Sequence, residues 1–356
     1  MASNTLKTPQ QLPSSTHEVI VVLEETHLVV DDVDTAPRSH QLVSYFNVSQ
    51  ADEVRERIQC ASVVIATQAL ITAESLGEAP YLKCIITPTA GTNHIDLDEC
   101  RRRGIRVARC VGSTSPAVAE HALSLYFAAR RKTVLFQNEL RTVDKDGKNS
   151  WKLQGSIAFK MQTANGHAPY SVEQEVVGII GFGNIGKRLE VLCKGLGMEV
   201  LVAERKGRSQ VREPSDKDSS HPRVPFDQVI RSATVIFICC LLNEETRNTI
   251  DARELDAMQP EVVIVNVSRG PVMNTAAVLE ALREKSISGV AVDVYDREPA
   301  STEDDSAFLF PDTKDLNLTL SPHVGYFSTK TVLTMKAMVK DHIKNYVSGD
   351  FANFEP

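Results

Sequence analysis

The sequence predicts an α/β protein built from two parallel-sheet domains, and three observations carry that reading. The chain has 356 residues, more than the roughly 250–300 that one core fills before a chain divides into domains. Short apolar runs alternate with helical stretches along most of its length, the pattern of strand–helix–strand units with helices on both faces of a parallel sheet. A glycine-rich turn, Gly181-Phe182-Gly183-Asn184-Ile185-Gly186, joins an apolar run to a helical stretch at the start of the second series.

In the first third, strands are expected at Glu18–Leu23, Ser62–Ala66, Cys84–Thr87 and Ile105–Ala108. Between them lie helical stretches: Ala51–Gln59 with acids early, the short Thr72–Leu76, and Asp96–Arg103 closed by Gly104. Acids at a helix start and glycine at its end match the free N–H and C=O groups there. Pro116 opens a long amphipathic segment, Ala117 to about Val134, read as a helix crossing between domains, since proline suits a first helical turn. The second series places strands at 176–180, 200–203, 234–239, 262–266, 288–293 and 318–320. The tail from Ser328 to Tyr346 reads as one helix, with Val332, Met335, Val339, Ile343 and Tyr346 at helical spacing. Returned to the first domain, it makes that domain discontinuous. The expected limits are 17–118 with 328–356 for a substrate domain and 119–327 for a dinucleotide-binding domain, with a disordered lead-in over 1–16. Residues 160–175 and 207–222 are polar and read as surface loops.

Composition narrows the function class. Hydrophobic content of 42% and charged content of 24% are ordinary for a globular protein. A net charge of −7 argues against nucleic acid as a main partner. Seven cysteines, without CxxC or metal-ligand spacing, read as buried free thiols in a reducing compartment, with no metal site. The absence of both a long apolar span and a secretory leader pattern predicts no membrane contact and a cytoplasmic location.

The glycine turn points to a dinucleotide. Val176–Ile180 reads as a buried strand. Gly181 permits a tight turn, Gly183 admits a pyrophosphate to the backbone, and Gly186 lets the following helix pack closely. Asn184 and Ile185 open that helix, where free N–H groups and the helix dipole favour anions. The next strand, Val200–Ala203, ends on Glu204, eighteen residues beyond Gly186. An acid there accepts hydrogen bonds from the adenine-ribose diol.

Three further segments follow in a telling order: Val265-Asn266-Val267-Ser268-Arg269-Gly270, then Val292-Asp293-Val294-Tyr295-Asp296-Arg297-Glu298-Pro299, then Ser321-Pro322-His323-Val324-Gly325. With the glycine turn, with Thr89-Ala90-Gly91-Thr92-Asn93-His94-Ile95-Asp96 and with Ala119-Glu120-His121, the chain resembles the D-isomer-specific 2-hydroxyacid dehydrogenase family, in its glycerate/hydroxypyruvate reductase-like branch. The resemblance implies two Rossmann-like or flavodoxin-like domains with a cleft between them. It implies NAD(P)-dependent interconversion of a 2-oxo acid and a D-2-hydroxy acid by hydride transfer. His323 is then the general acid and base, a role that imidazole chemistry suits in both directions. Glu298 orients the ring and stabilises the imidazolium. Arg269 offers a guanidinium fork that binds the carboxylate and polarises the keto oxygen. Ala90 and Gly91 hold the substrate carboxylate through backbone amides. Tyr326 and Phe327 stand where many relatives have small residues and are expected as an aromatic wall beside the substrate side chain, pointing to an apolar or aromatic 2-oxo acid. Cofactor contacts carry over to Arg205, Leu241, Val267, Ser268, Asp293 and Gly325, with Asp293 at the nicotinamide amide. Taken singly, an arginine at a strand end or a histidine after a proline is most often an ordinary solvated or loop residue; their joint occurrence behind the nucleotide motif carries the argument.

The sequence departs from the family pattern at three further places. Glu204 stands where aspartate is usual; a carboxylate repels a 2′-phosphate and favours NAD(H), while Arg205, Lys206 and Arg208 directly behind it leave NADP(H) open. Leu241 replaces a common proline. The stretch Ala66-Thr67-Gln68-Ala69 lacks the arginines that serve phosphorylated substrates. A homodimer through the nucleotide domain is expected, with the helix from Ala117 as a contact. The competing reading is an NADH-sensing, corepressor-like binding protein on the same fold.

Overall fold

The computed structural model describes residues 6–46, 50–163, 165–207 and 222–355. The chain forms two compact units, Met1–Thr114 with Phe327–Pro356, and Ser115–Tyr326.

The first unit contains β1 (His17–Val22), β2 (Ser39–Ser44), α1 (Ala51–Ile58), β3 (Val63–Ile65), α2 (Ala73–Gly77), β4 (Cys84–Thr87), α3 (Leu97–Arg103) and β5 (Arg106–Arg109). In the second unit come α4 (Ser115–Arg130), α5 (Thr133–Arg141), α6 (Ser150–Gln154), β6 (Val176–Ile180), α7 (Asn184–Gly195), β7 (Glu199–Val202), α8 (Phe226–Ser232), β8 (Val235–Ile238), α9 (Ala252–Asp256), β9 (Val263–Asn266), α10 (Thr275–Arg283), β10 (Gly289–Val292) and β11 (Leu318–Leu320). The chain then returns to the first unit through α11 (Thr329–Ser348) and β12 (Phe354–Glu355).

The first sheet runs β12-β5-β4-β3-β1-β2. All pairs are parallel except β12 against β5. Its strands are apolar on both faces because both are covered, as a parallel sheet requires. Val19, Val21 and Ile85 pack with Val54 and Ile58 of α1, Leu76 of α2 and Cys100 of α3. Ile20, Val22, Ile65 and Ile86 pack with Met335, Val339, Ile343 and Tyr346 of α11. The last helix therefore completes a core begun by the first strand. β2 escapes a search for apolar runs: its sequence is Ser-His-Gln-Leu-Val-Ser, and Val43 is its one buried residue.

The second sheet runs β11-β10-β9-β8-β6-β7, all parallel. A bridge from Ala203 to Val224 extends it beyond β7. β6 lies between β7 and β8, so the chain winds outward through α7 to β7 and then crosses back to the other side of β6. That reversal is the topological switch point, and ligands of such sheets bind outside the carboxyl ends of its strands. One face packs Val177, Ile179, Phe237 and Val265 against Ala122, Leu125 and Tyr126 of α4 and Leu189 of α7. The other packs Ile236, Ile264 and Val290 against Val229 of α8, Leu255 of α9 and Leu279 of α10.

The helix expected to reach about Val134 stops at Arg130, and a separate α5 follows. Arg130 is buried, and its guanidinium donates to the Glu175 carboxylate at 2.6 and 2.8 Å, to the Glu261 carbonyl at 2.7 Å and to the Thr234 carbonyl at 2.9 Å. With that side chain anchored under the sheet, the chain turns at Lys132, whose φ of 48° lies in the left-handed region. Lys132 Nζ donates to the carbonyls of Lys160 and Gln162. The segment 160–175 also contains parts of two short 3₁₀ turns, Ala158–Met161 and Val172–Gln174. No helix among the described residues is long and apolar enough to cross a membrane.

Breaking a buried ion pair from one side strands the other charge, at about 3–5 kcal/mol. Arg130→Met should lower unfolding stability by about that amount; urea denaturation that gives a wild-type midpoint would contradict the anchoring role.

Candidate active site

The glycine turn sits at the switch point, at the end of β6. Gly181 has φ 93°, and a Cβ on it would lie 2.4 Å from the backbone nitrogen of Cys240, just beyond β8. Gly186 lies on the first turn of α7, where a Cβ would come within 2.3 Å of the Gly181 carbonyl oxygen. Both glycines are therefore demanded by backbone packed on backbone. Gly183 differs: a Cβ there would meet nothing within 4 Å. No protein atom requires that glycine, and the open space there is a candidate cradle for a ligand. Gly183 caps α7 without a side-chain hydrogen bond, and the first turn of α7 carries no acid. Asn184 and Ile185 present their amides there, as an anion site on a helix N-terminus requires. These features fit a dinucleotide pyrophosphate.

Glu204 follows β7, half-buried, with its N–H donating to the Val224 carbonyl. The basic run behind it divides. Lys206 Nζ is held 2.9 Å from a Glu254 carboxylate oxygen and donates to the Thr249 carbonyl at 3.0 Å. Arg205 is exposed, and Arg208 lies outside the described residues. Leu241 is 76% exposed after β8.

The catalytic candidates lie on loops at the carboxyl ends of β9, β10 and β11. Past β9, the buried Asn266 accepts from the Ser268 N–H and hydroxyl and donates to the Arg269 carbonyl, which shapes the turn carrying Val267, Ser268 and Arg269. Arg269 Nη1 donates to the Ser268 carbonyl at 2.7 Å. Gly270 is pressed against the loop past β10, where a Cβ would stand 2.1 Å from the Tyr295 carbonyl carbon. That contact brings the Arg269 loop onto the Glu298 loop. Glu298 is held at both oxygens: Oε1 accepts from the Tyr295 N–H at 2.9 Å, and Oε2 is 2.5 Å from His323 Nδ1. The imidazole is thereby oriented through Nδ1, which leaves Nε2 as the ring nitrogen not engaged by Glu298. The ring of Tyr326 stands edge-on to it, with centroids 6.5 Å apart.

Asp293, at the end of β10, is 3% exposed. It accepts from the Val324 N–H at 3.0 Å and the Gly325 N–H at 2.9 Å. Burial alone would raise its pKa, but hydrogen bonds from His121, Ser321 and the Gly325 amide outweigh it and hold the carboxyl below the ordinary aspartate value. His121 of α4 bonds Ser321 at 2.9 Å and lies 3.4 Å from Asp293. Motif reading passed over Asn266, His121 and Ser321 as site residues, although each stands inside a quoted segment. The available signal was a polar residue at the end of an apolar strand and a histidine within an otherwise apolar helix.

In the first unit, Ala90 and Gly91 follow β4, both half-buried. The Thr89 hydroxyl donates to the Gly91 carbonyl at 2.7 Å, and Arg109 donates to the Ala90 carbonyl at 3.3 Å. Among the described residues, neither the Ala90 nor the Gly91 N–H has a protein acceptor. The described residues also contain no group of three or more His, Cys, Asp or Glu able to hold a metal ion.

A histidine paired with a carboxylate, on the same sheet as a glycine-rich turn, is a set of groups suited to a nicotinamide-dependent dehydrogenase. Comparison with known proteins makes the class specific. Residues 124–325 match the model of the D-isomer specific 2-hydroxyacid dehydrogenase NAD-binding domain. A glyoxylate reductase of Korarchaeum cryptofilum is 30% identical over 296 residues, 83% of this chain and 82% of that protein. A glycerate dehydrogenase of Methylorubrum extorquens is 26% identical over 310 residues, 87% of this chain and 90% of that protein. The structure of an Aquifex aeolicus D-lactate dehydrogenase complexed with NAD and lactic acid superposes with a TM-score of 0.72 at 21% identity, covering 95% of this chain and 99% of that one. The chain belongs to the D-isomer specific 2-hydroxyacid dehydrogenase family. It is an NAD(P)-dependent oxidoreductase of 2-hydroxy and 2-oxo acids.

The contrast between two glycines is measurable. Gly181→Ala meets both a positive φ and a backbone clash, and should cost at least about 2 kcal/mol in urea unfolding. Gly183→Ala should stay within about 1 kcal/mol of wild type yet weaken NADH binding by roughly tenfold or more. Equal stability losses with unchanged NADH affinity would contradict the cradle.

Proposed function

We propose that this protein reduces a small 2-oxo acid to the D-2-hydroxy acid, with His323 as general acid and base. The His323–Glu298 contact of 2.5 Å carries the reading, because it selects the proton-exchanging nitrogen and places a carboxylate behind it. Bound nicotinamide supplies the hydride. His323 Nε2 delivers the proton to the keto oxygen and receives it back in oxidation, while Glu298 stabilises the imidazolium. Arg269 keeps guanidinium N–H groups beyond its Ser268 bond for the substrate carboxylate and keto oxygen. In the first unit, the open amides of Ala90 and Gly91 are suited to a carboxylate, and in the second Tyr326 stands beside His323. Asp293 retains lone pairs for the nicotinamide carboxamide, and Gly325, Val267, Ser268 and Leu241 border the cofactor. In this reading Glu204 takes the ribose diol and the chain prefers NAD(H), supported by the capture of Lys206 by Glu254.

The test is a panel of glyoxylate, hydroxypyruvate, branched-chain and aryl-pyruvate substrates with NADH and NADPH, followed by absorbance loss. Turnover of at least one is expected, faster with NADH. His323→Ala and Arg269→Ala should each lose about 10²-fold or more in kcat. NADH binding without turnover of any acid would shift the reading to an NADH-sensing binding protein.

A homodimer is also proposed. α4 buries most of its apolar residues in its own unit, so it presents little of the contact expected of it. α5 and α6 have no buried residues, and Val134, Leu140, Val143, Trp151, Leu153 and Phe159 are exposed along this stretch. An apolar face of that extent on one segment marks an association surface. Light scattering should give twice the chain mass, and Trp151→Glu with Leu153→Glu should shift it toward the monomer; a monomeric wild type would sink the proposal.

A further inference from the structure

His323 has φ 52°, a left-handed conformation rare for a side-chain-bearing residue. Such a conformation persists only where surrounding contacts over-determine it. Those contacts can be traced. Before His323, the Ser321 N–H donates to the Val292 carbonyl at 2.9 Å, and the Ser321 carbonyl accepts from the Tyr295 hydroxyl at 3.1 Å and the His323 N–H at 3.1 Å. After it, the Val324 and Gly325 amides are held by Asp293. Every one of these outside partners lies on β10 or the loop that follows it. The exception among the side chains at this turn is His121. Its Nε2 is 2.9 Å from Ser321 Oγ on one side of the catalytic histidine and 3.4 Å from Asp293 Oδ1, which anchors the other side.

The fit is tight. A Cβ on Gly325 would lie 2.8 Å from both Asp293 Oδ2 and His121 Cδ2, so the loop is seated directly on these two side chains. The helix that brings His121 is itself fixed: Ala119 and Ala122 are fully buried beside it, and the Arg130–Glu175 pair locks its far end.

We infer that His121 is a positioning residue for proton transfer: by joining Ser321 to Asp293 it holds the loop that keeps His323 in its left-handed conformation against Glu298. The inference rests on the reading of His323 as the acid and base. His121 acts through the loop and carries no proton to substrate.

The experiment compares His121→Leu, His121→Gln, Ser321→Ala and the Leu/Ala double variant, with His323→Gln as control. For each, kcat, KM, NADH affinity and Tm are measured on the full chain. His121→Leu should lower kcat by roughly 10- to 100-fold, the scale of a small misplacement of a reacting group, with NADH affinity held within about twofold. His121→Gln, whose amide nitrogen reaches the position of Nε2, should recover most of the rate. Ser321→Ala should also lower kcat, and the double variant should lose less than the product of the two single losses, as expected of residues that share an interaction. Wild-type kcat in His121→Leu, a Gln variant as impaired as the Leu variant, additive losses in the double variant, or a loss confined to NADH affinity would each overturn the inference. If His121→Leu does not fold, wild-type kcat in Ser321→Ala overturns it alone. An inactive His323→Gln beside a fully active His121→Leu removes only this inference; an active His323→Gln removes the reading of the site beneath it.

Discussion

The close approach of backbone to backbone at Gly181 is the constraint on which the second unit depends. β6 ends against the start of the chain beyond β8, with no room for a side chain between them. That contact closes the gap between the two strands whose connections leave in opposite directions. Gly186 repeats the device one turn into α7, and together they set the helix N-terminus over the end of β6. The cradle at Gly183 is the space left by this packing. A larger residue at either contact moves the helix and removes the cradle, although neither glycine need touch a ligand.

Buried carboxylates organise the rest. Glu24 accepts the successive amides of Thr67, Gln68 and Ala69 at 2.5–2.9 Å and ties the turn past β3 to the end of β1. Burial raises its pKa, with the three N–H bonds acting against that rise. Glu175 gathers Tyr126, Arg130 and Thr234 and closes the opposite end of the second sheet from the site. Asp293 does the same for two loop amides at the catalytic end. In each case a charge removed from water is matched by several donors, which makes the backbone around it rigid. Glu298 belongs to this group by geometry but remains partly exposed.

Much of the fold was legible because parallel strands covered on both faces are written as apolar runs. β4, β6 and β11 fall at the residues that pattern marks, and the other strands of the second sheet agree within a residue or two. β2 was not legible, since an edge strand with one buried side chain has no such run. The end of α4 was not legible either: Ala117–Val134 reads as continuous helix, but the helix stops where Arg130 meets partners 45 to 131 residues away and Lys132 turns left-handed. The site divides along the same line. Gly181, Gly183, Gly186, Arg269, Glu298 and His323 lie in contiguous motifs. Asn266, His121 and Ser321 gain their place only from neighbours that the fold supplies.

By itself the sequence determined the strand–helix alternation, the position of the glycine-rich turn and the residue types of the histidine–carboxylate pair, because these are local patterns of hydrophobicity, backbone freedom and side-chain chemistry. Tertiary structure alone decided which glycines are required by packing and which leaves room for a ligand. It also decided that Lys206 is engaged by Glu254 and that a histidine on α4 meets the loop of His323. These depend on distances between residues up to 200 positions apart, and no local pattern encodes such a distance.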